Sequence, residues 1–106
     1  MIYEIIWSAF AERQIDEIHE FYLNKTKSLR IANRIIERIL IAPENLKLNP
    51  EIGQLELDLK DRILEYRYIV ESNYKLIYTI NKDKFQIQIS DVFDTRQNPV
   101  KIKRNK

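Results

Sequence analysis

At 106 residues with 44% hydrophobic composition, the chain fits one compact domain with a core large enough to fold unaided. It has no cysteine, which excludes disulfides and thiolate metal sites, and its formal net charge of +2 is too small by itself to define a partner. No uninterrupted apolar run approaches bilayer length and the N-terminus lacks a leader pattern, so a cytoplasmic protein with no membrane partner is expected.

Charge is unevenly distributed. Residues 1–24 carry Glu4, Glu12, Asp16, Glu17 and Glu20 against Arg13, whereas the end carries Lys101, Lys103, Arg104 and Lys106. The expected organisation is a single domain over 1–99 and a basic tail over 100–106. The tail permits a polyanionic partner, although a frayed, solvated end is the simpler reading.

In chain order, Ile2–Trp7 reads as a first strand, rich in β-branched and aromatic residues. Ser8 stands at a helix N-cap position, and Ala11, Ile15, Ile18 and Tyr22 recur at helical spacing, predicting a helix over 9–23. Asn24–Ser28 reads as a polar connection. A second helix begins near Leu29, with Ala32, Ile35, Ile36, Ile39 and Leu40 as its buried stripe and Arg30, Arg34 and Arg38 along another side. Pro43 either kinks that helix or opens a new turn. Asn49–Gly53 has loop chemistry, and its glycine, the only one in the chain, is expected to adopt a backbone conformation other residues avoid. Leu55–Asp61 is either an extended connector or a partial strand.

Arg62–Val70 and Asn73–Ile80 alternate as a hairpin. Its apolar face is expected to hold Tyr66, Tyr68, Val70, Tyr74, Leu76, Tyr78 and Ile80, and the opposite face Glu65, Arg67 and Lys75. After a polar turn at Asn81–Lys84, Phe85, Ile87 and Ile89 alternate with Gln86, Gln88 and Ser90 in a last strand, closed by Asp94–Pro99. One strand, two helices and three meandering strands predict an α+β fold, an antiparallel four-stranded sheet covered on one face by both helices.

Few residues suit catalysis. His19 is the only histidine and sits among carboxylates, so neither a metal cluster nor a Ser-His-Asp arrangement is expected. Glu12, Asp16 and Glu20 recur every four residues and read as a solvated acidic face. With no glycine-rich phosphate loop, no nucleotide cofactor is expected. If Glu71–Asn73 forms a three-residue loop, Arg67 and Lys75 lie near one another on the uncovered sheet face, with Arg96 able to fold over them. Three such cations suit a phosphate; an ordinary solvated sheet face also accounts for them.

Trp7-Ser8 ahead of an Ala/Glu-rich helix start, Asn49-Pro50 through Ile52-Gly53, Tyr66-Arg67-Tyr68-Ile69-Val70, Tyr74-Lys75-Leu76-Ile77-Tyr78 and Asp94-Thr95-Arg96-Gln97-Asn98-Pro99 together resemble the RelE/ParE superfamily of bacterial toxins from toxin–antitoxin modules. The resemblance implies a β-α-α-β-β-β fold and a toxin neutralised in a hetero-oligomer by a cognate antitoxin protein. RelE-like members cleave mRNA on the ribosome with basic sheet residues, whereas ParE-like members poison DNA gyrase without an established hydrolytic centre. Arg67, Lys75 and Arg96 match basic positions of the RelE-like cluster and would be catalytic in that case. Ile69 replaces a further lysine, Lys75 replaces an arginine and so lacks the planar fork, and nothing aromatic follows Phe93. Glu65 and Asp94 are the available general acid or base. The incomplete cluster favours the ParE-like alternative, a target-binding surface of Arg67, Lys75, Arg96, Lys101, Lys103 and Arg104. An inactive member that only binds its antitoxin is a third reading.

Overall fold

The computed structural model describes residues 2–104, so Lys106 of the basic tail lies outside the described residues. Strand β1 (Glu4–Trp7) leads through Ser8 into helix α1 (Ala9–Thr26), and the Ser8 hydroxyl accepts from Ala11 N–H at 3.0 Å. Helix α1 runs three residues past its expected end. Lys27 adopts a left-handed conformation there and its N–H donates to Leu23 O at 2.9 Å, which closes the helix. Ser28 caps helix α2 (Leu29–Ile41) by accepting from Ile31 N–H, so the helices form a hairpin with a two-residue connection. Pro43 opens a new turn: it stands at the start of a 3₁₀ segment, Ala42–Lys47.

Among the described residues five strands form one sheet, in the order β1-β5-β4-β3-β2, with β2 (Gln54–Leu55), β3 (Arg67–Glu71), β4 (Tyr74–Asn81) and β5 (Gln86–Asp94). The α+β class and helical layer are as expected, but two sheet details differ. The helical hairpin carries the chain across the sheet, so β1 arrives parallel to β5, pairing Ile5 with Ile87. The ambiguous segment after Gly53 supplies the short edge strand β2, paired with Tyr68 and Arg67. Phe85, expected to open the last strand, instead sits in the turn at φ 52° and packs edge-on against Tyr3.

The main core lies between helices and sheet, where Ala11, Ile15 and Ile39 meet Leu76, Tyr78, Ile87 and Ile89. A second core occupies the reverse face, where Ile77 and Phe93 are covered by Leu59 and Ile102. Two 3₁₀ segments supply that cover, Leu57–Leu59 and Pro99–Arg104. Ile102 is almost wholly buried, and burying such a side chain contributes about 1.5–3 kcal/mol. Residues 100–104 of the expected tail therefore belong to a 3₁₀ segment anchored by Ile102 and not to a frayed end, while their charged residues stay exposed.

Gly53 is needed for space, not for an unusual dihedral. Its φ of −68° and ψ of 155° are extended values open to any residue. Its N–H donates to the Tyr78 hydroxyl at 3.0 Å, and that hydroxyl donates to Pro50 O at 2.6 Å. A Cβ here would overlap the Tyr78 ring and lie 2.8 Å from Tyr68 O. Gly53→Ala is therefore expected to destabilise the protein by about 1–3 kcal/mol through overpacking, read as a lower urea midpoint with unchanged slope.

Candidate functional site

The β3–β4 hairpin turns in two residues, Ser72 and Asn73, with Ser72 at φ 55°; Glu71 pairs with Tyr74 and Val70 with Lys75. The three-residue loop would instead have put Ile69 opposite Lys75. A one-residue change of register exchanges the faces of one strand relative to the other. Arg67, paired with Tyr78, lies on the helix side of the sheet with Ile69, Tyr74, Leu76 and Ile80. Lys75 lies on the reverse side with Tyr66, Tyr68 and Ile77. The expected convergence of Arg67 and Lys75 on one open face does not occur, and the expected single apolar face is shared between two cores.

Each of these cations is engaged by its surroundings. Lys75 Nζ lies 2.8 Å from the carboxylate of buried Glu56 and 4.2 Å from the centroid of the Tyr68 ring. Arg67 donates to Gly53 O at 2.9 Å and Glu51 O at 3.2 Å, and pairs with Glu65 at 3.2 Å. It thus ties the Pro50–Gly53 loop to the sheet, beside an open cleft of about 640 Å³ shared with Glu51, Thr79 and Lys82. Glu65, one of the two candidate proton-transfer groups, is occupied by Arg67.

Arg96 lies at the far end of β5. Its guanidinium grips Asp94 through two hydrogen bonds of 2.9 Å, and this contact holds the Asp94 carboxyl below the usual carboxylate range. Asp94 is consequently ionised at neutral pH and a weak proton acceptor. A cleft of about 170 Å³ opens beside it, lined by Phe21, Tyr74, Asp94 and Arg96 among others. The Tyr74 hydroxyl approaches that of Tyr22 at 3.4 Å, and burial foremost, then Tyr22, pushes the Tyr74 phenol well above its ordinary value. Sequence reasoning missed the Tyr22–Tyr74–Arg96 grouping. Tyr22 is visible as part of a helical stripe, but no spacing says which strand it meets.

The terminal cations divide in the same way. Arg104 donates to both carboxylate oxygens of Asp91, at 2.8 and 3.1 Å, and to Gln14 at 3.1 Å, and its guanidinium lies 5.2 Å from the Phe10 ring centroid and 5.1 Å from that of Phe93. A register shift in the β4–β5 ladder pairs Ile77 with Asp91 and Tyr78 with Ile89, leaving Ser90 as the extra residue. That bulge turns Asp91 and Phe93 to the reverse face. Lys103 reaches Asp61 at 3.4 Å, and exposed Lys101 accepts from Arg104 through its backbone carbonyl.

Among the described residues no three His, Cys, Asp or Glu side chains form a metal-binding group, and His19 bonds Asn33 at 2.8 Å. The cations can recognise anions at the surface. Activating a 2′-hydroxyl and protonating a leaving group would require free, suitably tuned partners, whereas Glu65 and Asp94 are both held in ion pairs.

A mixed five-stranded sheet with a helical hairpin on one face makes the chain a small two-layer α+β protein. Residues 5–99 match the family model described as ParE toxin of type II toxin-antitoxin system, parDE, and the chain belongs to that family. The fold is similar to the chromosomal ParDE toxin–antitoxin system of P. aeruginosa, with a TM-score of 0.70, 14% identity, and coverage of 88% of this chain and 96% of that one. It is also similar to the RelBE2 toxin–antitoxin complex of Mycobacterium tuberculosis, with a TM-score of 0.58, 19% identity, and coverage of 89% and 99%. No curated protein matches by sequence. Among the described residues no helix is long and apolar enough to cross a membrane.

Asp91 illustrates competing effects. Burial raises its carboxyl above the ordinary value, and the opposing pull of Arg104 does not cancel that rise. Its native state therefore holds a proton more readily than its unfolded state, so Asp91 favours folding below its unfolded value and loses that contribution as pH rises through its native one. Arg104→Met, which keeps the stem but leaves the carboxylate unpaired, is expected to cost about 2–4 kcal/mol at neutral pH. The cost should shrink as pH falls and Asp91 takes up a proton, checked by urea unfolding at neutral and at acidic pH.

Proposed function

We propose that this member of the ParE toxin family arrests growth by binding a large cellular target, DNA gyrase, without cleaving RNA, and is neutralised by a cognate antitoxin. The reading rests on the division of the cations: Lys75 is held against buried Glu56 on one sheet face while Arg67 anchors a loop on the other. A phosphodiester cannot meet both at once. Arg96, Lys101 and Lys103 remain on the surface and are assigned the target contact, with Arg67, Lys75 and Arg104 holding the surfaces around them.

The sheet edge supports the antitoxin. Strand β2 pairs only with Arg67 and Tyr68, so the outer edge of β3 from Ile69 to Glu71 has no strand beside it among the described residues. An extended antitoxin segment can add there by main-chain hydrogen bonds.

Inducing the chain alone, then following growth, plasmid supercoiling and transcript integrity together, tests the proposal. Growth arrest with altered supercoiling and intact transcripts is expected, weakened by the combined change Arg96→Ala, Lys101→Ala and Lys103→Ala. Cut transcripts would instead establish the ribosome-dependent nuclease, and unaffected growth a member that only binds its antitoxin. Co-expression with a candidate antitoxin, followed by copurification of the pair, reports on that partner.

A further inference from the structure

Helix α2 presents Arg30, Arg34 and Arg38, all exposed, and none of their side chains has a hydrogen bond, ion pair or ring contact among the described residues. Every other arginine is engaged: Arg13 lies over Phe10, Arg62 donates to Lys103 O, and Arg67, Arg96 and Arg104 are paired as above. Helix α1 presents a matching row of opposite sign, Glu12, Asp16 and Glu20, likewise exposed and with unpartnered side chains. Both rows repeat every four residues, about 6 Å of helix. Buried Ala11, Ile15, Ala32 and Ile39 mark the core sides of the two helices, so both rows belong to the outer surface of the hairpin.

Their relative level follows from the His19–Asn33 hydrogen bond of 2.8 Å across the hairpin. Counting along antiparallel helices from that pair, Glu20 falls level with Arg30, Asp16 with Arg34 and Glu12 with Arg38, each within about 3 Å along the axis.

From this we infer that the helical hairpin docks on a second copy of the same chain through a two-fold axis running parallel to the helices. Such an axis sets α1 of each copy over α2 of the other and leaves the level along the axis unchanged. Glu12, Asp16 and Glu20 then meet Arg38, Arg34 and Arg30 of the second copy, and the reciprocal pairs form by symmetry. Exposed Ile31 and Ile41 flank the arginine row and supply apolar contact. A uniform polyanion would use the arginines but leave the acidic row facing it, and that repulsion favours the second copy. Because exposed ion pairs carry the contact, the dimer is salt-sensitive.

Sedimentation equilibrium of the full chain is the test. A dimer is expected at about 50 mM salt, with association weakened roughly tenfold or more near 0.5 M. Asp16→Arg and Arg34→Glu should each give monomers, while the two together, which restore opposite charges across the axis, should give dimers again. Circular dichroism and urea midpoints identify any variant that fails to fold, and Glu12→Lys with Arg38→Glu is the second swap. A wild-type monomer at low salt, single variants that still dimerise, or a folded double variant that remains monomeric would each overturn the inference. Retarded duplex DNA from a monomeric wild type would reassign the arginine row to a nucleic acid.

Discussion

Glu71 pairs with Tyr74 across a two-residue turn, and the side-chain placement of the hairpin follows from that pairing. It sends Tyr74, Leu76 and Tyr78 toward the helices and Lys75 and Ile77 toward the reverse face, so β4 is buried on both sides. A strand with two apolar faces requires two covers. The helical hairpin is one, and the 3₁₀ segments carrying Leu59 and Ile102 are the other.

Two-sided burial explains the fate of the charges. A cation on a covered sheet cannot remain unpaired without cost, so it acquires a carboxylate, an aromatic face or a carbonyl. Lys75 has Glu56 and Tyr68, Arg67 has the Gly53 and Glu51 carbonyls, and Arg104 has Asp91 together with the Phe10 and Phe93 rings. The Arg67 Nε is an exception, buried without a partner among the described residues. Residues that resemble a catalytic set in the sequence thus hold loops, the reverse cover and the terminal segment in place. Arg96 and the lysines near the C-terminus stay exposed, and the target contact proposed above is assigned to them.

The helical layer obeys a different constraint. Its outer surface is covered by nothing among the described residues, and there the charges lie in rows because the helix repeat places every fourth residue on nearly one line. Rows of opposite sign on adjacent antiparallel helices make the surface self-complementary. The sheet edge beyond β2, where a partner strand is proposed to add, is a separate place on the fold.

Local chemistry alone determined the order of the main elements, the Ser8 cap, the start of α2 at Leu29 and the α+β class, while leaving Pro43 open between a kink and a new turn, since capping, helical spacing and alternation act over a few neighbours. It also marked the three cations and both charged rows on the helices. Tertiary structure decided the hairpin register, the bulge at Ser90, the parallel entry of β1, the extra edge strand and the packing of residues 99–104. It also revealed that Gly53 is required because Tyr78 arrives from 25 positions away. Each of these depends on contacts between segments remote in sequence, where shifting one residue reverses a face and leaves the residue pattern itself unchanged.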